Sequence, residues 1–447
     1  MDAATKSLSI EDALKKGGIG ALSVNVIGLV AGFLLQVFLA RILSPDVYGS
    51  YQYVISWLSV LVIIAMWGMD GVNFRLVSAY VATREFALLR GLLERSMNLT
   101  SLAGLGIAAI LSLCGYYFPF LFPPGIGALM VIGALSLPLW ALSNVRQVCI
   151  ASLRFPMKAR VPDLVVRPIV IWLCVLALSV SSIALTAKTL LLIHALAFVV
   201  TLGLFIFLCE RMLPQEVHSA PAQYRMSYWV NMGNSLMGIS LVYIIMNQLD
   251  ILLLGYLRTT ADVALYSVSL RVAQFVVFGL QAVNIVAVPS MSALYTEGKM
   301  EELQKLVSLA AKYHVFLGIP VFIIILVAGQ FVLSIFGDNY QEGWLILWLL
   351  GAGQLTSTIL GPAAYMLSMS GHQNRVLKLL VVSLLINVCL NIPLVLLYGA
   401  LGAALATSIA LIISNTMMAF NVYSILKIDS TVGAFLSRIF YSRKHSE

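Results

Sequence analysis

The sequence predicts an all-α polytopic membrane protein, with about twelve transmembrane helices in two pseudo-symmetric six-helix lobes. Composition, the length of the apolar runs and an internal repeat predict it. Of 447 residues, 61% are hydrophobic and only 10% are charged, whereas a soluble domain carries about one-quarter charged residues. The mean hydropathy of +0.97 says the same. Charge-free runs of ~20 residues or more recur along the whole length, each enough to cross a ~30 Å hydrocarbon core as a helix. The repeat is a displacement of 215 positions. Residues 36–51 are an apolar run, a polar turn and a second apolar run, and residues 251–266 have the same shape, with Leu43 on Arg258, Ser44 on Thr259 and Tyr51 on Tyr266. Downstream the register continues without a gap, with Arg84 on Lys299, Leu88 on Leu303 and Arg90 on Lys305. One unit used twice is the simplest reading.

Taken in order, residues 1–18 hold Glu11, Asp12, Lys15 and Lys16 before any apolar run and no small-residue cleavage site, so they read as a cytoplasmic interfacial segment with Leu8, Ile10 and Leu14 as its apolar side. Residues 19–209 form the N-lobe, with spans at 19–42, 49–69, 96–118, 126–151, 164–182 and 187–209. Residues 210–226, polar and holding Pro214 and Pro221, are a cytoplasmic linker. Residues 227–426 form the C-lobe, with spans at 227–256, 262–287, 313–336, 343–369, 376–397 and 400–426. Residues 427–447 are a basic tail in which Val432, Phe435, Leu436, Ile439 and Phe440 make one apolar stripe. Turn signals such as Ser44-Pro45-Asp46, Pro123-Pro124-Gly125 and Tyr398-Gly399 separate the spans.

With the N-terminus in the cytoplasm, 23 of the 27 basic residues fall inside and three, Arg41, Lys188 and Arg258, fall outside, with Arg271 left within the membrane. The positive-inside rule therefore puts both termini in the cytoplasm. The net charge of +8 is this asymmetry, and it does not indicate nucleic acid. Two amphipathic stretches, Phe86, Leu89 and Leu93 in one half and Leu303, Leu306, Val307 and Ala310 in the other, are expected to lie along the inner membrane interface. All five cysteines sit in apolar runs without a C-x-x-C and read as small hydrophobes, with no metal site.

Polar groups within hydrocarbon are costly and single out candidate functional residues. Asp250 is the one carboxylate well inside a span, and Arg271 lies at similar depth on the next, antiparallel helix, ~10 and ~13 Å below the outer interface at ~1.5 Å per residue. The two can pair. Their counterparts in the first half are Leu35 and Ser56, so one lobe alone carries the charges. A purely structural ion pair is one reading; the other is a path in which Arg271 meets an anionic headgroup and Asp250 acts as a proton- or cation-sensitive latch, with Asn247, Gln248 and Gln274 extending the polar lining. Arg146 and Arg167 bracket the basic loop 154–160, a cluster that suits a phosphate on the cytoplasmic side. His194, midway along the sixth span, is a titratable group or a packing group. No catalytic motif, phosphate loop or dinucleotide glycine pattern occurs, and no loop is long enough to build an external active site. That argues against a polymerase, ligase or glycosyltransferase and for a protein without a cofactor.

Leu39-Ala-Arg-Ile-Leu-Ser-Pro-Asp-Val-Tyr-Gly-Ser-Tyr51, Trp67-Gly-Met-Asp-Gly-Val-Asn-Phe-Arg75, and Asp250-Ile-Leu-Leu-Leu-Gly255 followed by Leu265-Tyr-Ser-Val-Ser-Leu-Arg271 resemble the signatures of the polysaccharide flippases, in the superfamily that also holds the multidrug extruders and the lipid II flippase. The resemblance implies two six-helix lobes that alternate between inward-open and outward-open forms. It also implies a polyprenyl-pyrophosphate-linked oligosaccharide as substrate, membrane lipids and polysaccharide polymerase or assembly proteins as partners, and a bacterial inner-membrane location. The other reading within the superfamily is a cation-coupled small-molecule exporter. Multidrug extruders typically carry an acid on the first helix, and between Asp12 and Asp46 this chain has none.

Overall fold

A computed structural model describes residues 27–181 and 184–433. The interfacial segment at 1–18 and most of the tail stripe lie outside these residues. Among the described residues the secondary structure is helical, and ten helices are long and apolar enough to cross a membrane, or eleven when a pair bent by 44° (Ile126–Ala134 and Ser136–Ser152) is counted as one span. The described part of the first span is the shorter apolar helix Ile27–Ile42. The twelve spans expected from hydropathy are mainly helical where they are described, with breaks at Trp67–Gly68, at Gln274 and at Gly361–Pro362. The chain divides into two compact units, 1–248 and 249–447.

In the first unit, helix α1 (Ile27–Ile42) turns at Ser44, whose hydroxyl accepts from Val47 N and caps α2 (Pro45–Met66), with Pro45 at the first position, where it has no amide hydrogen to leave unpaired. Two consecutive left-handed residues, Trp67 and Gly68, break α2 from α3 (Met69–Thr83). Glycine is required at the second: a Cβ there would lie 2.1 Å from the Gly233 carbonyl oxygen. Next come α4 (Phe86–Tyr117) and the bent pair α5 (Ile126–Ala134) and α6 (Ser136–Ser152). The span α7 (Pro156–Val180) follows and contains a π turn at Pro162–Val166, where proline cannot donate an amide bond. The last helices of this part are α8 (Ala187–Met212), entered through a Thr186–Thr189 capping box, and the short α9 (Gln215–Ser219). Helix α6 is central, packing against α2, α3, α4 and α8. Helix α10 (Met226–Leu257) begins in this unit, with Trp229 buried and donating to the Tyr80 hydroxyl at 3.2 Å.

The second unit repeats the plan. Thr259 and Asp262 form a capping box that starts α11 (Thr260–Ala273), matching Ser44 ahead of α2 at an offset of 215. Helix α12 (Phe275–Thr296) follows, then α13 (Met300–Ser334), α14 (Trp344–Leu360), α15 (Ala363–Met369), α16 (Gln373–Tyr398) and α17 (Ala400–Leu426). The starts of α2, α4 and α8 reappear as the starts of α11, α13 and α17, so the duplication visible in sequence is one of helix plan.

The two expected interfacial helices are not separate elements. Each is the opening of a long spanning helix, α4 or α13, and its apolar side faces protein: Leu88, Leu89, Leu92 and Leu93 are buried in one, Leu303, Val307 and Ala310 in the other. An apolar stripe identifies a face that avoids water and does not say whether lipid or protein covers it.

Candidate functional site

Asp250 lies on α10 and is only 3% exposed. Three other helices bring polar groups to it. Tyr266 on α11 donates its hydroxyl to Asp250 Oδ2 at 2.7 Å, and Asn391 on α16 donates its amide to Oδ1 at 2.7 Å. Asn391 also donates to Asn387 Oδ1 at 3.0 Å, and Thr407 on α17 stands 3.3 Å from the Tyr266 hydroxyl. The four helices of the second unit are thus pinned around one carboxylate. The amide oxygen of Asn391 is buried and has no partner. A single negative charge among neutral amide and hydroxyl oxygens has the chemistry to hold a proton or one monovalent cation, because a hard ion takes oxygen ligands and a lone carboxylate matches a single positive charge.

The expected Asp250–Arg271 ion pair does not form. Both carboxylate oxygens are taken by Tyr266 and Asn391, while Arg271 is half-buried with its Nε lacking a partner. Similar depth on adjacent helices put the two at one level; the facing direction, set by the 100° step of a helix, decided the contact. Gln274 is exposed at the break between α11 and α12, and Asn247 is exposed and donates to Tyr243 O on its own helix at 2.7 Å. Gln248 is half-buried, with no side-chain hydrogen bond among the described residues.

In the first unit, His194 on α8 is buried and meets the Tyr51 hydroxyl through Nδ1 at 2.9 Å, inside a wall of Trp140 and Phe198. Tyr51 is the repeat counterpart of Tyr266, so at this position of both units a buried tyrosine reaches a titratable group. Arg167 pairs with Asp163 at 2.9 Å and stacks over Phe198 at 5.1 Å. Arg146 has different neighbours: it donates to Cys209 Sγ at 3.4 Å and lines a pocket between the start of α4 and the ends of α6 and α8. The two arginines expected to act as one cluster are engaged separately. Cys149 and Cys209 bring their sulfurs to 3.5 Å, a contact that the cysteine spacing in sequence does not reveal.

Residues 218–224, within the expected linker, are fastened to the first turns of α4. Arg90 donates to the carbonyls of His218 and Ala220 at 2.7 and 3.0 Å, and Gln223 N donates to Ala87 O at 2.9 Å. The Tyr224 hydroxyl donates to Glu94 at 2.9 Å, and that carboxylate holds the hydroxyl above its ordinary pKa by stabilising the protonated form.

The family model described as "Polysaccharide biosynthesis protein" matches residues 38–344, a stretch that contains all the motif segments and Asp250. The chain belongs to this family. Among curated proteins, it is 25% identical over 184 residues to the "Probable low-salt glycan biosynthesis flippase Agl15" of Haloferax volcanii, covering 40% of this chain and 38% of that protein. It is also 22% identical over 172 residues to the "Probable flippase AglR" of the same organism, covering 38% and 36%. The matches thus span less than two-fifths of either relative. Among solved structures, an inward-facing multidrug resistance MATE family transporter of the MOP superfamily overlays with a TM-score of 0.76 at 12% identity, covering 92% of this chain and 99% of that one. The lipid II flippase MurJ in an inward closed conformation gives 0.69 at 16% identity, covering 90% and 87%. At such identities the likeness is one of fold.

Asn387, Asn391 and Thr407 escape the sequence analysis. The two asparagines stand four apart within an apolar run, on one face of a helix, and that spacing is the signal that could have found them.

Proposed function

We propose that this protein is a flippase that carries a polyprenyl-pyrophosphate-linked oligosaccharide from the cytoplasmic to the outer leaflet of the bacterial inner membrane, for surface polysaccharide such as lipopolysaccharide O-antigen or exopolysaccharide. The family match over residues 38–344 carries the reading. A charged, hydrated sugar headgroup does not cross hydrocarbon unaided at a useful rate, which is the physical need for such a protein. Transport proceeds by alternating access, without covalent chemistry. The basic ends of the helices face the cytoplasm, with both termini. Arg146 and Arg167 serve the inner-side approach of the pyrophosphate, Arg271, Asn247, Gln248 and Gln274 the passage of the headgroup. Asp250, in its cage of Tyr266, Asn387, Asn391 and Thr407, takes up the coupling proton or cation, and His194 is the titratable counterpart in the first unit. The multidrug exporter reading has the fold in its favour; the family match favours polysaccharide.

Deleting the gene in its host tests the proposal. Loss of surface polysaccharide with accumulation of cytoplasm-facing lipid-linked precursor is expected, and normal polysaccharide would overturn it.

A further inference from the structure

A pocket of about 440 Å³ sits at the end of the first unit, between the opening of α4, the end of α6, the end of α8 and α9. That is the size range of small-molecule sites. Its charges are almost fully accounted for. Glu94 is held by Arg90 at 3.0 Å and by Tyr224 at 2.9 Å, and Glu210 stands 3.7 Å from His218. Arg90 is committed to Glu94 and to the two carbonyls of residues 218 and 220. Arg146 is left over. Its Nη1 meets only the Cys209 sulfur, a weak acceptor, its Nε is buried without a partner, and no carboxylate lies within ion-pair distance among the described residues. A guanidinium with unsatisfied donors on a pocket wall is complementary to an anion with several acceptor oxygens.

We propose that this pocket binds a phosphate-bearing anion, with Arg146 as its anchor and the exposed Asn98 and His218 as further donors. Glu210 opposes the ligand from the same wall. Leu93, Met97 and Val217 supply an apolar side for whatever the phosphate is attached to. The same chemistry belongs to a lipid diphosphate headgroup and to free pyrophosphate. The site deepens the role given to Arg146 in the flippase reading and rests on it; because binding is measured without transport, the two can fail separately.

The experiment is calorimetric titration of the purified full-length protein with inorganic pyrophosphate in detergent, and with nanodiscs containing a polyprenyl diphosphate. Binding of pyrophosphate assigns the site to free phosphates, and binding of the lipid alone assigns it to the headgroup; either supports the proposal if it is Arg146-dependent. Arg146→Gln is expected to weaken binding at least ~10-fold, the scale of a charge-assisted contact. Glu210→Gln is expected to tighten it, a gain that misfolding cannot produce and that keeps the test open should Arg146→Gln fail to fold. Equal binding by wild type and Arg146→Gln, no binding of either probe, or weaker binding by Glu210→Gln would overturn the proposal.

Discussion

At the scale of the residue, Asp250 is the group whose burial most needs a reason. An ionised carboxylate out of water is costly, and here two neutral donors meet its oxygens while no cationic side chain does. That leaves a site that gains from a proton or a small cation. Asp250→Asn retains the volume but faces Tyr266 and Asn391 with only one acceptor, so one hydrogen bond, about 1 kcal/mol, is lost while the fold survives. The expected outcome is a protein of nearly wild-type melting temperature whose transport is strongly reduced and no longer responds to pH or sodium; a variant that responds to both as wild type does would remove Asp250 from coupling. Arg258 shows the opposite case. It is one of three basic residues that charge sorting puts outside, and it donates to the carbonyls of Val395 and Leu396 at the end of α16, so it is a helix cap with a structural reason to be there.

Between elements, the informative contact is the one that holds residues 218–224 to α4. Gly91 is where that contact is tightest: a Cβ would come within 1.9 Å of the Gln223 carbonyl oxygen. Gly91→Ala must push residue 223 away and is expected to lower stability by about 1–3 kcal/mol, the usual range for overpacking. Gly106, on the same helix with nothing within 4 Å, is the control: Gly106→Ala is expected to be neutral or to stabilise by up to about 1 kcal/mol through helix propensity. Thermal unfolding in detergent separates the two, and equal effects would contradict the packing described for Gly91. This contact is only half legible in sequence. The stripe of Leu88, Leu89, Leu92 and Leu93 is visible as a pattern, but the partners of Arg90 and Glu94 on the same turns come from residues about 130 positions away. The pairing of Asp250 failed for a related reason. Depth along a helix follows from counting residues, whereas the direction of a side chain depends on how each helix is rotated in the bundle, which no local pattern records.

At the scale of the whole molecule, what is legible in sequence is what membrane physics dictates locally. Each span has to be apolar and long, and each turn has to be capped, so Ser44 and Thr259, each just ahead of an apolar run, mark the start of two equivalent hairpins. The duplication also shows where the halves diverge: Asp250, Asn387 and Asn391 in the second unit stand where the first has Leu35, Trp172 and Leu176. Each unit retains a buried tyrosine facing a titratable partner, and the oxygen cage belongs to one of them. The proposal that the molecule moves a lipid-linked oligosaccharide is tested most directly by reconstituting it in liposomes with such a lipid, labelled on its glycan, and measuring how fast the glycan buried in the inner leaflet becomes accessible to a membrane-impermeant glycosidase. The prediction is exposure well above the rate in protein-free liposomes, strongly reduced by Asp250→Asn. Exposure no faster than in protein-free liposomes, with a small cationic dye transported instead, would contradict it.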